Sequence, residues 1–215
     1  MRSVGAFSGA PKLVAFVSLC PNLLATEVMQ QALASEDVRV TATEGRTCPH
    51  SELATCVTLP PLIRPTGPRV LLLRACPASV RCTTERFRQR FVMYAAGANL
   101  YDILDATKVA DYVVLAMSSQ VEVDDFGLLI LGAIQAQGCP VIVPVVPDLE
   151  AAPPKQRGDI KKSLLSFIQH HFPNEPKVHA LESPSDRLLF LRHLAEAPPR
   201  TVHWRESHPY LVRIR

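Results

Sequence analysis

The sequence predicts an α/β fold built on a doubly wound, mainly parallel sheet. Apolar runs of strand length alternate along the chain with amphipathic segments of helix length. Two of the runs, 111–117 and 141–146, are rich in β-branched residues and apolar at nearly every position. Such continuous runs are typical of parallel strands that helices cover on both faces. Helix start and stop residues between the runs complete the pattern.

The first strand is predicted over 12–20, and it leads directly into a helix. Pro21 and Asn22 break the strand and are expected to cap the helix. Leu24, Val28 and Ala32 then recur at every fourth position and predict its buried face.

The next part of the chain is less regular. Residues 35–68 mix charges, Thr, Pro and Gly without sustained periodicity, which predicts a long connection with one short strand at 54–59. Two further strands are predicted over 69–74 and 90–94, joined by the basic, Thr-containing segment 77–89.

The C-terminal half alternates regularly between helices and strands. Asp124 and Asp125 predict a helix start and Gly138 its end. Pro144 cannot donate to a strand ladder, which predicts an edge or a bulge in its strand. Helices are predicted over 100–110, 126–137, from the pair Gly158-Asp159 to 171, and over 186–195, and strands over 111–117, 141–146 and 177–181.

Composition excludes several classes of protein. The 215 residues carry a net charge of +3, and no apolar run reaches the roughly 18–20 residues of a membrane span. The N-terminus lacks the apolar core of a secretory signal, so we expect a reducing compartment and six free thiols. Cys48, His50 and Cys56 resemble half a zinc site, but no second Cys/His pair follows at finger spacing.

A phosphate-binding loop is missing where the fold would place one. A strand–loop–helix unit binds phosphates through G-x-x-x-x-G-K-[ST], because glycines let backbone N–H groups wrap the phosphates and the lysine supplies charge. Residues 10–35 contain no glycine, and no lysine follows Lys12. A dinucleotide-binding enzyme is disfavoured as well, since no G-x-G-x-x-G follows a strand. The fold is therefore expected without its nucleotide chemistry, and we expect no cofactor and no metal.

Several polar clusters have an ordinary structural explanation. Asp105 and Asp111 flank a short helix and fit helix capping and strand-end solvation better than catalysis. The acidic island at 122–125 fits a helix cap better than a Mg²⁺ site. His170 and His171 point about 100° apart on a helix and fit a solvated helix end better than a metal site.

Two basic clusters are candidates for contact with RNA phosphates, with a solvated charged surface as the alternative for each. Alternation in the first cluster places three guanidinium groups on one side if the segment is extended. Reversing the second cluster to Glu is expected to weaken RNA association and leave folding intact. The first cluster is Arg86, Arg88 and Arg90; the second is Lys155, Arg157, Lys161 and Lys162.

The order of elements and several motifs allow a family comparison. The runs 105–115, 134–140, 159–164 and 170–173 resemble the Bms/Tsr family of GTPase-like ribosome-biogenesis factors, and within it the Tsr branch. The resemblance covers 11–215 and implies a translational-type, P-loop GTPase-like domain over 11–198. It also implies a tail at 1–10, and at 199–215 the start of a following β-barrel, so the chain is expected to be an N-terminal piece.

The resemblance implies where a guanine nucleotide would be read, and those positions are degenerate. Where a GTPase has D-x-x-G, this chain reads Tyr94-Ala-Ala-Gly97, which keeps the glycine and lacks the carboxylate. Where a GTPase has N-K-x-D, it reads Pro147-Asp148-Leu-Glu150. Glu150 could mimic the base-reading Asp, but Pro147 has no amide side chain and Asp148 replaces the lysine.

The resemblance implies a non-catalytic factor in maturation of the small ribosomal subunit (40S) and in pre-rRNA processing. Its partner would be the pre-ribosomal small subunit, with its rRNA and ribosomal proteins, in the nucleolus, the nucleus and on cytoplasmic pre-ribosomes. There it would sterically keep translation factors or the large subunit off an unfinished particle. No membrane and no small-molecule substrate is expected. The alternative is a working GTPase of the Bms branch, which would need the intact phosphate loop that this sequence lacks.

Overall fold

The computed structural model describes residues 10–44, 79–138, 140–173 and 177–200. The strands predicted at 54–59 and 69–74, the tail at 1–9 and the expected β-barrel segment from 201 onward lie outside the described residues. The strands are β1 (Lys12–Ser18), β2 (Val38–Glu44), β3 (Ser79–Thr84), β4 (Gln89–Ala95), β5 (Tyr112–Ala116), β6 (Val141–Val146) and β7 (His179–Ala180). The helices are α1 (Ala25–Leu33), α2 (Leu100–Val109), α3 (Asp125–Gln137), α4 (Arg157–His171) and α5 (Pro184–Glu196).

The strands form one twisted sheet in the order β2-β3-β4-β1-β5-β6-β7. From β4 to β7 every neighbouring pair is parallel, whereas β2 and β3 join β4 as an antiparallel edge. Side chains of α1 and α5 pack on one face of the sheet, and side chains of α2, α3 and α4 pack on the other. The predicted doubly wound, mainly parallel α/β sheet is confirmed.

The core depends on three central strands that are buried on both faces. Along β1, Val14 and Phe16 face α1 and α5, whereas Ala15 and Val17 face the other helices. Every residue of β5 and β6 is buried. Burying one large apolar side chain contributes roughly 1.5–3 kcal/mol, so these strands supply much of the driving force for folding. No helix among the described residues is long and apolar enough to cross a bilayer.

Two strands lie where none was predicted. β2 lies within the predicted connection 35–68, and β3 lies within the segment predicted to join two strands. Both belong to the antiparallel edge, where the outer surface is solvated and Thr and Arg replace a continuous apolar run. One exposed ion pair links this edge to the β3–β4 turn, with Arg39 Nε 3.0 Å from Glu85 Oε1.

The first helix begins later than predicted. Its N-cap is Leu24, which makes no side-chain capping bond, so Asn22 is not the cap. Leu24 is also 57% exposed and does not belong to the buried face. Ala25, Val28, Met29 and Ala32 form that face instead, so the prediction was right for Val28 and Ala32 only.

The predicted signals around α3 and β6 are confirmed in position. Asp124 caps α3 by accepting the Gly127 N–H at 2.7 Å, and Gly138 ends the helix with φ 93°. Pro144 lies in β6, inside the sheet, yet β7 pairs only with the two residues that follow it. The Val145 carbonyl accepts from Met117 on the β5 side, so the backbone of Pro144 faces the β7 side. The missing N–H therefore lies at a locally open edge.

Lys12 anchors the last helix to the first strand. The residue is only 3% exposed, and its Nζ donates to the carbonyls of Leu194 and Ala195, both at 2.8 Å. A third bond reaches Ala197 at 3.3 Å. Carbonyl groups at the C-terminal end of a helix carry partial negative charge and lack intrahelical partners, which an ammonium group satisfies. Burial lowers the pKa of Lys12, and the nearby Asp111 carboxylate partly opposes that effect.

Replacing this anchor tests its contribution to stability. We expect Lys12→Met to lower the free energy of unfolding by about 2–3 kcal/mol, because it removes charge-assisted bonds and leaves carbonyls without their donor. Urea unfolding measures the change. Lys162→Met is the control, since that exposed lysine makes only a 3.7 Å pair with Asp159, and it should shift stability by less than about 0.5 kcal/mol. Equal effects of the two variants would contradict the anchoring role.

Gly127 sets how closely α3 approaches the loop after β1. A Cβ placed there would lie 2.3 Å from the Leu19 carbonyl oxygen and 2.5 Å from Val123 Cγ1. Both contacts are far inside van der Waals distance, and one of them involves backbone. Gly132, in the same helix, would meet nothing within 4 Å.

The two glycines provide a matched test of this packing. We expect Gly127→Ala to destabilise the protein by more than about 2 kcal/mol, because the helix must shift away from the loop. Gly132→Ala should instead stabilise it by about 0.5–1 kcal/mol through helix propensity. Thermal and urea unfolding of both variants check the difference. A neutral Gly127→Ala would show that α3 is free to move away from the loop.

Candidate functional site

The carboxyl ends of the parallel strands meet at one edge of the sheet, where α/β folds of this topology bind ligands. Five connections lie there, at 19–24 after β1, 96–99 after β4, 117–124 after β5, 147–156 after β6 and 181–183 after β7. In a GTPase these connections hold phosphates, Mg²⁺ and the guanine base. The contacts made by each connection decide whether this edge is open to a ligand.

The connection after β1 is folded on itself. Ser18 Oγ donates to the carbonyls of Cys20 and Leu23, at 2.9 and 3.0 Å. Cys20 is buried and lies between the Ser118 N–H and the Val121 carbonyl, both 3.4 Å from its sulfur. Burial raises the pKa of the Cys20 thiol, which disfavours the thiolate that nucleophilic chemistry needs.

The charges near this connection disfavour phosphate binding. Lys12 is at the opposite end of β1, roughly 20 Å away for a seven-residue strand, and its ammonium is held by α5. The first turn of α1 carries Glu27, whose carboxylate complements the positive end of the helix dipole in place of a phosphate.

Asp148 joins the β5–α3 connection to the β6–α4 connection. Its carboxylate accepts the Ser118 hydroxyl at 2.5 Å and the Ser119 N–H at 2.8 Å. Its own carbonyl accepts the Ser119 hydroxyl at 2.8 Å. Asn22 Nδ2 donates to Ser118 Oγ at 3.0 Å, which brings the connection after β1 into the same network. Asp148, which lies in the position of the base-stacking lysine, therefore links these connections through hydrogen bonds inside the protein.

Two further contacts extend this network. Glu182, after β7, accepts the Glu150 N–H at 2.6 Å, and burial is the main cause that raises the pKa of its carboxyl. Arg157 donates from Nε to the Ala152 carbonyl at 3.0 Å and from a terminal nitrogen to the Glu150 carbonyl at 2.8 Å. Glu150, the candidate for the base-reading Asp, is thus held through its backbone in a single 3-10 turn at Leu149–Ala151.

The D-x-x-G position is also occupied by structural contacts. Tyr94 lies in β4, and its hydroxyl donates to the Ala106 carbonyl of α2 at 2.5 Å. Gly97 faces Asp102, since a Cβ at Gly97 would lie 2.9 Å from Asp102 Oδ2. The phenol therefore connects the end of β4 to the helix that follows it.

The described residues at this edge do not present the groups with which a GTPase binds guanine nucleotide and Mg²⁺. A hollow of about 260 Å³ lies between the β5–α3 connection and α4. Its lining contains no Lys or Arg, and its one carboxylate is Glu122. Within the described ranges no group of three His, Cys, Asp or Glu side chains is arranged to hold a metal ion. Asp124 of the acidic island caps α3, as predicted.

The first basic cluster does not form the predicted alternation. Arg86 and Arg88 lie in the β3–β4 turn, where Arg88 has φ 50°, and Arg90 lies in β4. The segment is therefore not extended, because the tight hairpin requires a left-handed residue at Arg88. Arg86 and Arg88 are exposed and Arg90 is half-buried.

The second basic cluster is divided by the fold. Lys155 is exposed in the turn before α4, whereas the Arg157 guanidinium is used internally, as described above. Reversing Arg157 to Glu would remove both hydrogen bonds of its guanidinium, so for that residue we expect the loop after β6 to be disturbed. Lys161 and Lys162 lie together on α4.

Other candidate residues have structural roles. Asp111 Oδ2 accepts the Leu13 N–H at 2.9 Å, which fixes the start of β5 beside β1. Burial, and then the neighbouring His170, lower the pKa of His171, which is half-buried at the end of α4. Cys20 and Cys82 are free thiols, whereas the other four cysteines lie outside the described residues.

A cleft that the sequence did not predict lies along the outer side of β7. We call it the β7-edge cleft, and its volume is about 630 Å³. α4 contributes one wall, α5 the other, and residues 177–180 the floor. Only the folded chain brings these segments together, so no local motif marks the cleft. Its charged and imidazole side chains are Lys161, Lys162, Lys177, His179, Asp186, Arg192, His193 and Glu196.

Comparisons with known proteins agree with this geometry. The family model described as Tsr1, G-like domain matches residues 74–196. The ribosome biogenesis protein tsr1 of Schizosaccharomyces pombe is 32% identical over 212 residues, which cover 98% of this chain and 24% of that protein. The pre-rRNA-processing protein TSR1 homologs of Mus musculus and Homo sapiens are 31% and 27% identical, each over 56% of this chain.

The chain spans about a quarter or less of the length of these relatives. Translation elongation factor SelB of Methanococcus maripaludis, solved with a GTP analogue, has the same fold, with a TM-score of 0.52 over 92% of this chain and 35% of that chain. At 10% identity this likeness concerns the fold alone. The family match covers more than half of the chain and includes every element from β3 to α5. This chain belongs to the Tsr1 family and carries its G-like domain.

Proposed function

We propose that this chain is a non-catalytic, GTPase-like docking domain of a factor in small ribosomal subunit maturation and pre-rRNA processing. One observation carries the non-catalytic part. Asn22, Ser118 and Asp148 join three connections at the carboxyl edge of the sheet, where a GTPase would need space for nucleotide and Mg²⁺. In a GTPase these connections contact the nucleotide and Mg²⁺, whereas here their own side chains hydrogen-bond to one another.

The biological part of the proposal rests on the family. Relatives named for ribosome biogenesis and pre-rRNA processing align with this chain over 212 and 125 residues. We propose the pre-ribosomal small subunit as the partner, and the nucleolus, the nucleus and cytoplasmic pre-ribosomes as the location. The basic surfaces at 86–90 and 155–162 remain candidates for contact with its rRNA.

The non-catalytic assignment predicts that the protein binds neither GTP nor GDP. No side chain replaces the phosphate-loop lysine, and Asp148 places a carboxylate in the base-reading loop. Calorimetric titration with either nucleotide and Mg²⁺ should show no binding with a dissociation constant below about 10 μM. That limit corresponds to a binding free energy of roughly 7 kcal/mol. A working translational GTPase serves as the positive control. Saturable binding below that concentration would support the GTPase alternative.

The docking assignment predicts association with small-subunit precursors that is independent of nucleotide. Co-sedimentation of the protein with purified precursor particles should give the same bound fraction with GTP, with GDP and without either, because no loop at the carboxyl edge responds to them. Large-subunit particles are the specificity control. Equal binding to both kinds of particle would contradict specific docking, and a nucleotide-dependent bound fraction would contradict the non-catalytic assignment.

A further inference from the structure

We propose that the β7-edge cleft binds single-stranded RNA, with lysines on its walls contacting phosphates and a base packing against its apolar surface. The inference deepens the proposed function, on which it rests only for the identity of the RNA as precursor rRNA. It assigns a ligand class to a surface distinct from the closed carboxyl edge.

The position of the cleft follows from the sheet. β7 is the last strand in the sheet order and has no neighbour on its outer side within the described part of the chain. α4 and α5 pack on opposite faces of the sheet, and one side of each helix forms a wall of the cleft beside this edge. The volume of about 630 Å³ lies within the range of sites that hold a nucleotide-sized group.

The charge of the cleft favours an anion. Four cationic side chains face two carboxylates across it. Glu196 is already engaged, with its Oε1 2.8 Å from Arg192 Nε. Lys162 makes only a loose 3.7 Å pair with Asp159, in which both side chains are 82% exposed. Neither Lys161 nor Lys177 forms an ion pair with a described residue, so both ammonium groups remain to bind phosphates.

The remaining lining favours a nucleobase over a purely ionic ligand. Leu189 is 55% exposed within the cleft, and Leu165 and Val178 extend the apolar surface. The His179 and His193 rings lie beside it with their centroids 4.9 Å apart. Burial lowers the pKa of His179 to about 4, helped by His193, Lys177 and Lys161, so this ring is neutral at physiological pH. Flat neutral rings and apolar side chains are the surfaces on which unpaired bases pack.

The strand edge itself disfavours a peptide ligand. Strand addition needs a run of free backbone groups along an exposed edge. β7 contains only His179 and Ala180, which is too short to template a second strand. A flexible polyanion with a flat base at each unit uses the lysines and the apolar floor together, whereas an acidic peptide would use the lysines alone.

The test measures binding of a fluorescein-labelled, mixed-sequence 12-nucleotide RNA by anisotropy at several salt concentrations. The double variant Lys161→Gln/Lys177→Gln should weaken binding on the order of 25-fold at 0.1 M salt and lower the log–log salt slope by about 1.4, since each single-strand phosphate contact contributes roughly 0.7. The matched control, Arg81→Gln/Lys108→Gln, removes two exposed charges that belong neither to the cleft nor to either basic cluster, and it should leave both values near those of the parent. A double variant with the parental affinity and slope would overturn the proposal.

A second variant separates base contact from charge. Leu189→Ser should weaken binding several-fold without changing the salt slope, because it removes apolar contact and no cation. Its exposure makes a folding defect unexpected, and circular dichroism verifies the fold. An unchanged affinity would overturn base packing. A 12-base-pair RNA duplex that binds as well as the single strand, or polyglutamate that competes as well as unlabelled RNA, would also overturn the assignment.

The same variants distinguish this inference from the proposed function. If the parent binds the oligonucleotide, the double variant does not, and the parent binds no precursor particle, the cleft assignment is supported and the proposed function is contradicted. If the parent and the double variant bind particles equally and neither binds the oligonucleotide, the proposed function stands and the cleft assignment fails.

Discussion

The hydrogen bonds accepted by the Asp148 carboxylate are the interactions on which the carboxyl edge of this domain depends. In a parallel α/β sheet this edge gathers loops with many backbone N–H groups, and a bound nucleotide normally satisfies part of them. Here Asp148 accepts the Ser119 N–H and the Ser118 hydroxyl, and Ser118 in turn accepts from Asn22. These polar groups are therefore satisfied within the protein. A ligand that displaced the Asp148 carboxylate would leave them without that partner, which costs free energy.

The central part of the fold could be predicted from the sequence because burial on both faces leaves a strong local signal. β5 and β6 are continuous apolar runs, and Asp124 and Gly138 mark the ends of α3 through backbone chemistry that acts within a few residues. The antiparallel edge gave no such signal. β2 and β3 pair with each other and with β4, and their Thr and Arg residues are compatible equally with a strand and with a solvated connection. The start of α1 was missed for a related reason, since Leu24 is apolar but exposed.

The candidate site, like the fold, could be predicted from the sequence only in part. Loss of the phosphate loop could be recognised from residue types alone, because no arrangement of side chains replaces absent glycines and lysine. The use of Asp148 could not be predicted, since its partners lie 29 and 30 residues away and come close only when β5 and β6 pair. Arg157 was predicted to belong to a solvated basic cluster, but its guanidinium donates to two backbone carbonyls. The local sequence is compatible with both arrangements, and only the 3-10 turn before α4 distinguishes them. The β7-edge cleft could not be predicted from the sequence either, because its walls come from α4 and α5, which pack on opposite faces of the sheet.

Closing the carboxyl edge changes what a GTPase fold can do. A nucleotide switch needs loops that order only around a bound nucleotide. Here Asn22, Ser118 and Asp148 join three of the connections that a nucleotide would contact. A body that does not reorder its loops on docking loses less conformational entropy than one that does, which favours a scaffold over a switch. Recognition must then come from surfaces outside the nucleotide site. The outer side of β7 is such a surface, because the strand ends after two residues and leaves cations of α4 and α5 facing one opening. Under the proposed function, a hydrogen-bonded carboxyl edge and an open β7 edge together suit a docking domain better than a nucleotide switch.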